Sequence, residues 1–341
     1  MKVPSPTSIV NRELLFYSGF GGTTRLIPSV GPYFHGPKDQ YEDIVGVDHT
    51  IPSPTPWEEI SSNPNLGSLR IYYEEGNPRQ RSAQIVPDED NPDKKILRFQ
   101  LAEPNVTINW PTGPEHKARV QAELYGNTDL REFYQTVRLR LGSDMQTLEQ
   151  FPTPFHWLTI FEFWNQPFWI GDYPFRISIG IHKPTKETGQ GLFFAVEAQK
   201  MIEMQKFEVL WNESQHGFRV PYNKWMTLEL YYREGDSKSG RLYMAVTPDD
   251  GERQVIFDVH DCTYHPENPS PAGLTHYNPM KMYTSSQLVQ FLRQRGQVMQ
   301  LDWDEFSLWK GRTPPEHAAV AAAKPRPARM ATPVIVPGGA I

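Results

Sequence analysis

From residue 118 onward the chain reads as a succession of segments with hydrophobic residues at every second position. Across 118–124, Val120, Ala122 and Leu124 share one face, and Arg119, Gln121 and Glu123 share the other. Residues 133–141 set Phe133, Val137, Leu139 and Leu141 against Tyr134, Thr136, Arg138 and Arg140. The cleanest alternation is in 175–182, where Phe175, Ile177, Ile179 and Ile181 interleave with Arg176, Ser178, Gly180 and His182. Successive side chains of a strand point to opposite faces, so a period of two predicts strands with one buried face. Residues 156–165 are apolar at most positions and predict a central strand covered on both sides.

Further strands are predicted at 14–20, 68–73, 82–86, 96–101, 191–198, 226–233, 241–247, 254–259 and 298–309. On two of them Glu229 pairs with Tyr231, and Arg241 with Tyr243, as same-face polar neighbours. EEGNPRQ, PDEDNPDKK and GDSKSG carry the chemistry of turns, the last of a hairpin. One helix is predicted at 285–295, where Leu288, Phe291 and Leu292 have helical spacing. More than ten strands with one short helix predict an all-β fold, a two-sheet antiparallel β-sandwich of jelly-roll type. No internal repeat supports a propeller. Three regions are expected: a Pro-rich N-terminal arm over 1–66 contributing one strand (14–20), a jelly-roll domain over 67–312, and a flexible Pro/Ala-rich tail over 313–341.

Composition narrows the possible partners. Aromatics make up 12% of 341 residues, which argues for a packed body. A net charge of −6 without a dense Lys/Arg run gives no footprint for nucleic acid. No apolar run approaches a membrane span. The opening MKVPSPTSIVNRELLFYSGF is broken by Pro4, Pro6, Asn11 and Arg12, so no secretory signal is visible. Cys262 is the one cysteine, which excludes an intrachain disulfide and a multi-cysteine zinc site.

ELLFYSGFGG resembles the first strand of concanavalin A-like domains, and QLDWDEFSLWKG their closing strand. Gln121-Ala122-Glu123-Leu124 resembles the R-x-E-L strand motif of jelly-roll polysaccharide lyases (alginate, heparin and glucuronan lyases). Residues 277–283, Tyr-Asn-Pro-Met-Lys-Met-Tyr, resemble the late K-x-G-x-Y strand of the same enzymes. Gln121 stands where that family has Arg, and Arg119 lies two residues earlier on the same face. The resemblance covers roughly residues 95–310 and implies a sandwich whose polar groove holds a polysaccharide or oligosaccharide. It also implies β-elimination of an acidic, uronate-containing chain. In that chemistry a cation or amide neutralises the uronate carboxylate, and a Tyr or His removes the C5 proton.

On that resemblance the catalytic candidates are Tyr283 and His182 as base, Arg119 and Gln121 as neutralising groups, and Lys281 beside them. Arg138, Arg176, Glu123, Glu229, Tyr231, Tyr243, Trp164 and Trp169 are candidate substrate contacts. Arg138 and Arg140 could instead pair across a sheet with Glu123 or Glu229.

Two other functions stay open. Hydrolysis needs two carboxylates flanking the bond. Glu162, set among aromatics in FEFW and expected to have a raised pKa, could pair with Glu123 or Glu229. A lectin-like or structural module would use the aromatics of HWLTIFEFWNQPFWIGDYPF, namely Trp157, Trp164, Phe168, Trp169 and Tyr173. No cofactor is required, and a structural Ca2+ could sit near Asp302 and Asp304.

Overall fold

The alternation predicted for 175–182 is realised residue for residue, with Phe175, Ile177, Ile179 and Ile181 fully buried in the core. The protein was described from a computed structural model, which covers residues 12–29, 40–74, 77, 79–107, 115–165, 171–185, 189–203 and 206–315. In chain order the first strands are β1 (Glu13–Ser18), β2 (Arg25–Pro28), β3 (Gln40–Val45), β4 (Ser68–Tyr73), β5 (Arg81–Pro87) and β6 (Lys95–Leu101). The middle of the chain supplies β7 (Asn105–Thr107), β8 (Glu115–Tyr125), β9 (Glu132–Leu141), β10 (Leu158–Trp164), β11 (Phe175–His182) and β12 (Phe193–Glu203). The last are β13 (Lys206–Gln215), β14 (Trp225–Arg233), β15 (Arg241–Pro248), β16 (Gln254–Val259), β17 (His276–Ser285) and β18 (Met299–Lys310), with one helix, α1 (Ser286–Arg293), before β18.

These strands form two antiparallel sheets packed face to face, the sandwich expected from the alternation. One has the order β16-β15-β14-β9-β18-β6-β5, with β1 beside β18. The other runs β13-β12-β11-β10-β17-β8-β4-β3-β2, with β7 beside β8. The first strand therefore pairs with the last, Glu13 opposite Lys310.

Between the sheets, Phe133 stacks against Tyr277 and Tyr232 at 5.0 and 5.8 Å, and Phe163 against Tyr277 at 5.0 Å. Trp303 fits edge-on between Phe99 and Phe161 at 6.3 and 5.8 Å. Each such ring contributes roughly 1.5–3 kcal/mol by burial. Tyr277 also brings a hydroxyl into this layer, and it donates to the amide oxygen of Gln135 from the facing sheet. That bond keeps both polar groups satisfied, as burial requires. The apolar run of β10 is explained by position: every residue from Leu158 to Trp164 is buried, because the strand sits mid-sheet.

Several elements escaped the sequence pattern. Among the described residues, the first 66 positions contribute three strands, β1 to β3, where one was expected. β2 is the largely exposed edge strand and β3 is a six-residue strand between it and β4, so neither shows a clear alternating code. β13 has only Trp211 buried, for the same reason. β17 is buried along almost its whole length and contains Pro279, which hid it from a period-two search. Two 3-10 turns, Trp57–Ser62 and Ser143–Gln150, were also missed. Asp302 is held by Arg98 and Arg140, both at 2.8 Å, and Asp304 by Lys94 at 2.6 Å. The two acids thus pair with side-chain cations. No group of three or more His, Cys, Asp or Glu able to hold a metal occurs among the described residues.

Candidate functional site

Because the core takes Ala118, Val120, Ala122 and Leu124 of β8, the intervening Lys117, Arg119, Gln121 and Glu123 must face outward. The same logic turns out His276, Asn278, Lys281 and Tyr283 from β17, where an irregularity between Tyr277 and Met280 resets the phase. A matching irregularity on β10 turns Thr159, Glu162 and Trp164 to that side. On β11 the outward set is Arg176, Ser178, Gly180 and His182, and on β12 it is Phe193, Ala195, Glu197 and Gln199. Register then builds rows across the sheet. One row reads Arg119, Tyr283, Thr159, Gly180, Ala195, and another includes Glu162, Ser178, Glu197.

Tyr283 stands in the first row between Arg119 and Thr159. The guanidinium carbon of Arg119 lies 4.0 Å from its ring centroid, Lys281 Nζ 5.1 Å and Lys117 Nζ 5.8 Å. Trp157 meets it edge-on at 4.9 Å. Glu74, just past β4, holds both Lys117 at 2.8 Å and Arg119 at 3.0 Å. Glu162 likewise bridges Lys281 and Arg176, the latter at 3.1 Å. Three cations thus ring one tyrosine, tied down by Glu74 and Glu162, and Glu162 links them to Arg176.

The charge states follow from this pairing. Burial alone would raise the Glu162 carboxyl, but Lys281 and then Arg176 bring it down to about 2. Burial lowers the Lys281 ammonium to about 8 against the pull of Glu162, so the pair is ionised at neutral pH. Burial also opposes charge on Lys117 and Arg119, yet Tyr283 and Glu74 together hold both above their ordinary values. The expectation of a raised Glu162 is therefore corrected. Two cations pin it as a carboxylate, which is not the proton donor that hydrolysis requires.

His182 lies in the same face, two residues along β11 from Gly180, which stands across Thr159 from Tyr283. Its imidazole folds back over Gly180, where an added Cβ would stand 3.2 Å from Nε2 and 3.1 Å from the Leu158 carbonyl. Neighbouring rings extend it: His156 at 5.3 Å, Phe193 at 5.8 Å, and His216 4.2 Å beyond Phe193. Burial first, then His156 and His216, lower the His182 imidazole to about 3, so it is neutral.

Arg119, Gln121, Lys281, Tyr283 and His182 are thus brought onto one face, together with Glu123, Arg176 and Trp164. Arg176 donates to Gln199 at 2.6 Å and lies over the Trp164 ring at 5.5 Å. Gln121 donates to Glu123, and His276 stands 3.7 Å from the same carboxylate. The face is not an open trough throughout. Arg119, Gln121, Lys281 and Tyr283 are under one-tenth exposed, whereas Ser178, His182 and Glu197 are half-buried.

Four expected contacts lie elsewhere. Arg138, Glu229, Tyr231 and Tyr243 are on the outer face of the other sheet, because β9, β14 and β15 belong to it. There Arg138 pairs with Asp249, Glu229 accepts from Arg253 at 2.6 Å, Tyr231 donates to Glu132 at 2.7 Å, and Tyr243 accepts from Arg253 at 2.8 Å. Arg140 pairs with Asp302 there, not with Glu123 or Glu229. Trp169 and Phe168 fall outside the described residues, and Tyr173 packs on His265 at 5.4 Å.

Sequence reading missed Lys117, Glu74, Thr159, Glu197 and Gln199. Lys117 was legible as the next residue on the Arg119 face. Glu74 was not, since only strand pairing places it there.

No family model and no curated protein matches this sequence. Solved structures with a similar course include an endo-β-1,4-glucuronan lyase from the fungus Trichoderma reesei. It is 14% identical, with 70% of this chain and 89% of that one covered and a TM-score of 0.42. A marine alginate lyase from Aplysia kurodai is 10% identical, with 73% and 92% covered and a TM-score of 0.41. The exoplasmic/lumenal domain of VIP36, with Ca2+ and Man3GlcNAc bound, is 11% identical over 68% and 84%, at 0.34. None is close enough to lend this chain an activity or a residue role.

Proposed function

We propose that this protein is carbohydrate-active and that the outer face of its ten-stranded sheet takes a uronate-containing polysaccharide, which it cleaves by β-elimination. The observation that supports this is Tyr283 ringed by Lys117, Arg119 and Lys281, with Glu74 and Glu162 holding those cations in place. Cations gathered beside a phenol suit a substrate carboxylate.

Arg119 and Lys117 neutralise the uronate carboxylate, which acidifies the C5 proton. Tyr283, acting as its phenolate, takes that proton, and the electron pair forms the C4–C5 double bond as the C4–O bond breaks. The Tyr283 phenol so formed returns the proton to the leaving oxygen, which restores the phenolate. Lys281 stabilises the enolate, and Glu162 holds Lys281 in place. His182, neutral and on the same face, is the second base available.

Burial of Arg119, Gln121, Lys281 and Tyr283 favours a second function, a sugar-binding module that performs no chemistry. A panel of uronate polymers separates the two. Elimination creates a conjugated double bond that absorbs in the ultraviolet, and Tyr283→Phe abolishes it. Binding with no gain in absorbance supports the module, and reducing ends without absorbance would support hydrolysis instead.

A further inference from the structure

The charge on this face is uneven from one side to the other. On β8 and β17 lie Lys117, Arg119 and Lys281. Past β10 the rows carry Ser178, Gly180 and Ala195, with the rings of His156, His182 and Phe193 at their end. The cation on β11, Arg176, is engaged by Glu162 and by Gln199. Next to it Glu197, half-buried, accepts from Gln199 and brings a carboxyl to the row that contains Ser178 and Glu162, burial raising its pKa and Arg176 opposing that.

Neighbouring strands are about 4.8 Å apart, so Glu197 on β12 lies roughly 14 Å from β17. That strand spacing is close to the length of a pyranose ring. A chain laid across the strands, with its first sugar at Tyr283, therefore brings its third and fourth sugars over Ser178 and Glu197. A carboxylate there would be desolvated beside a like charge, which is unfavourable in a partly buried setting. A neutral ring would instead place its C–H face on the His182 and Phe193 rings and its hydroxyls near Ser178 and Glu197, as sugar sites do.

We infer, resting on the assignment of a uronate to the Tyr283 end, that the sugars bound beyond β10 are uncharged, so that the ligand is a heteropolysaccharide in which neutral sugars separate the uronates. Glu197 is the specificity-determining residue, since it penalises a second acid more than it favours a neutral ring.

The test uses two soluble polymers of matched length, a homopolymer of uronate and a polymer alternating uronate with a neutral hexose. Both are assayed for ultraviolet-absorbing product and for binding by calorimetry. The full chain is expected to prefer the alternating polymer by about tenfold or more, and Glu197→Gln to shrink that ratio by about fivefold. Equal use of both polymers, or preference for the homopolymer, overturns the inference while leaving elimination or binding of uronates intact. An unchanged ratio in a folded Glu197→Gln overturns the role of Glu197. If that variant does not fold, the ratio for the unaltered chain decides alone. If neither polymer is bound or cleaved, the proposed function itself falls, and this inference with it.

Discussion

The guanidinium of Arg119 lies over the ring of Tyr283, its carbon 4.0 Å from the centroid, on strands where the two residues are direct cross-strand partners. Cation and ring hold each other in place, and Glu74 fixes the far side of the guanidinium at 3.0 Å. Tyr283→Phe keeps the ring and removes only the hydroxyl. It is expected to leave the melting temperature near that of the parent and to lower elimination by about 100- to 10,000-fold. Arg119→Lys keeps the charge but loses the guanidinium's forked donors and its contact with the ring, so uronate affinity should fall even though the net charge is unchanged. Melting curves and steady-state ultraviolet assays check both, and a fully active Tyr283→Phe would remove Tyr283 as the base.

Glu162→Gln strips the shared carboxylate from two cations. Its folded pKa, about 2, lies below the ordinary 4.5, so its stabilising contribution is complete above 4.5 and is lost as pH falls toward 2. The variant should be less stable by about 3–5 kcal/mol at neutral pH, because Lys281 is left buried and uncompensated. The deficit should shrink between pH 4.5 and 2, where the parent protonates too. Urea unfolding across that range measures the difference, and a deficit independent of pH would contradict the ion pair.

His182 behaves as a buried neutral base. Its folded pKa, about 3, lies below the ordinary 6.5, so the unfolded chain binds the extra proton in that interval. Stability from this residue is full above 6.5 and declines as pH drops toward 3. His182→Gln should flatten that part of the stability profile, which is read by the same unfolding series.

Gly180→Val tests the hollow under the imidazole. The new side chain would crowd His182 Nε2 and the Leu158 carbonyl, which an added Cβ already approaches at 3.2 and 3.1 Å. Displacement of His182 should weaken sugar binding by about tenfold, with a stability loss of about 1–3 kcal/mol. Calorimetry with a bound oligosaccharide reads the first effect, and unaltered binding would show that the hollow is not used.

The opposite sheet supplies the control. Arg138→Ala and Tyr243→Phe alter pairs with Asp249 and Arg253 on a face that the Tyr283 site does not reach. Both variants should bind and process carbohydrate like the parent. A loss in either would mean that the functional surface had been placed on the wrong sheet.

The strand code of β8, β9, β11, β14, β15 and β16 was legible because each presents one face to the core, and burial imposes a period of two. The same code identified Arg119, Gln121, Arg176 and His182 as outward-facing. Tyr283 and Lys281 came from motif resemblance alone, since β17 is buried along nearly all its length and shows no alternation. Glu162 was recognised as unusual, but its charge was misjudged. Burial was apparent from its aromatic neighbours, whereas Lys281 and Arg176 reach it only from adjacent strands.

Alternation therefore settled that this chain is a β-sandwich and which side chains leave its core. It could not assign strands to sheets, because an outward Arg138 and an outward Arg176 obey the same periodicity on opposite faces of the molecule. Pairing between strands far apart in the chain made that choice, setting Arg119 beside Tyr283 and carrying Glu229 away from both. Periodicity is a property of the local backbone, whereas a site is formed by long-range register, and only the folded sheet fixes that.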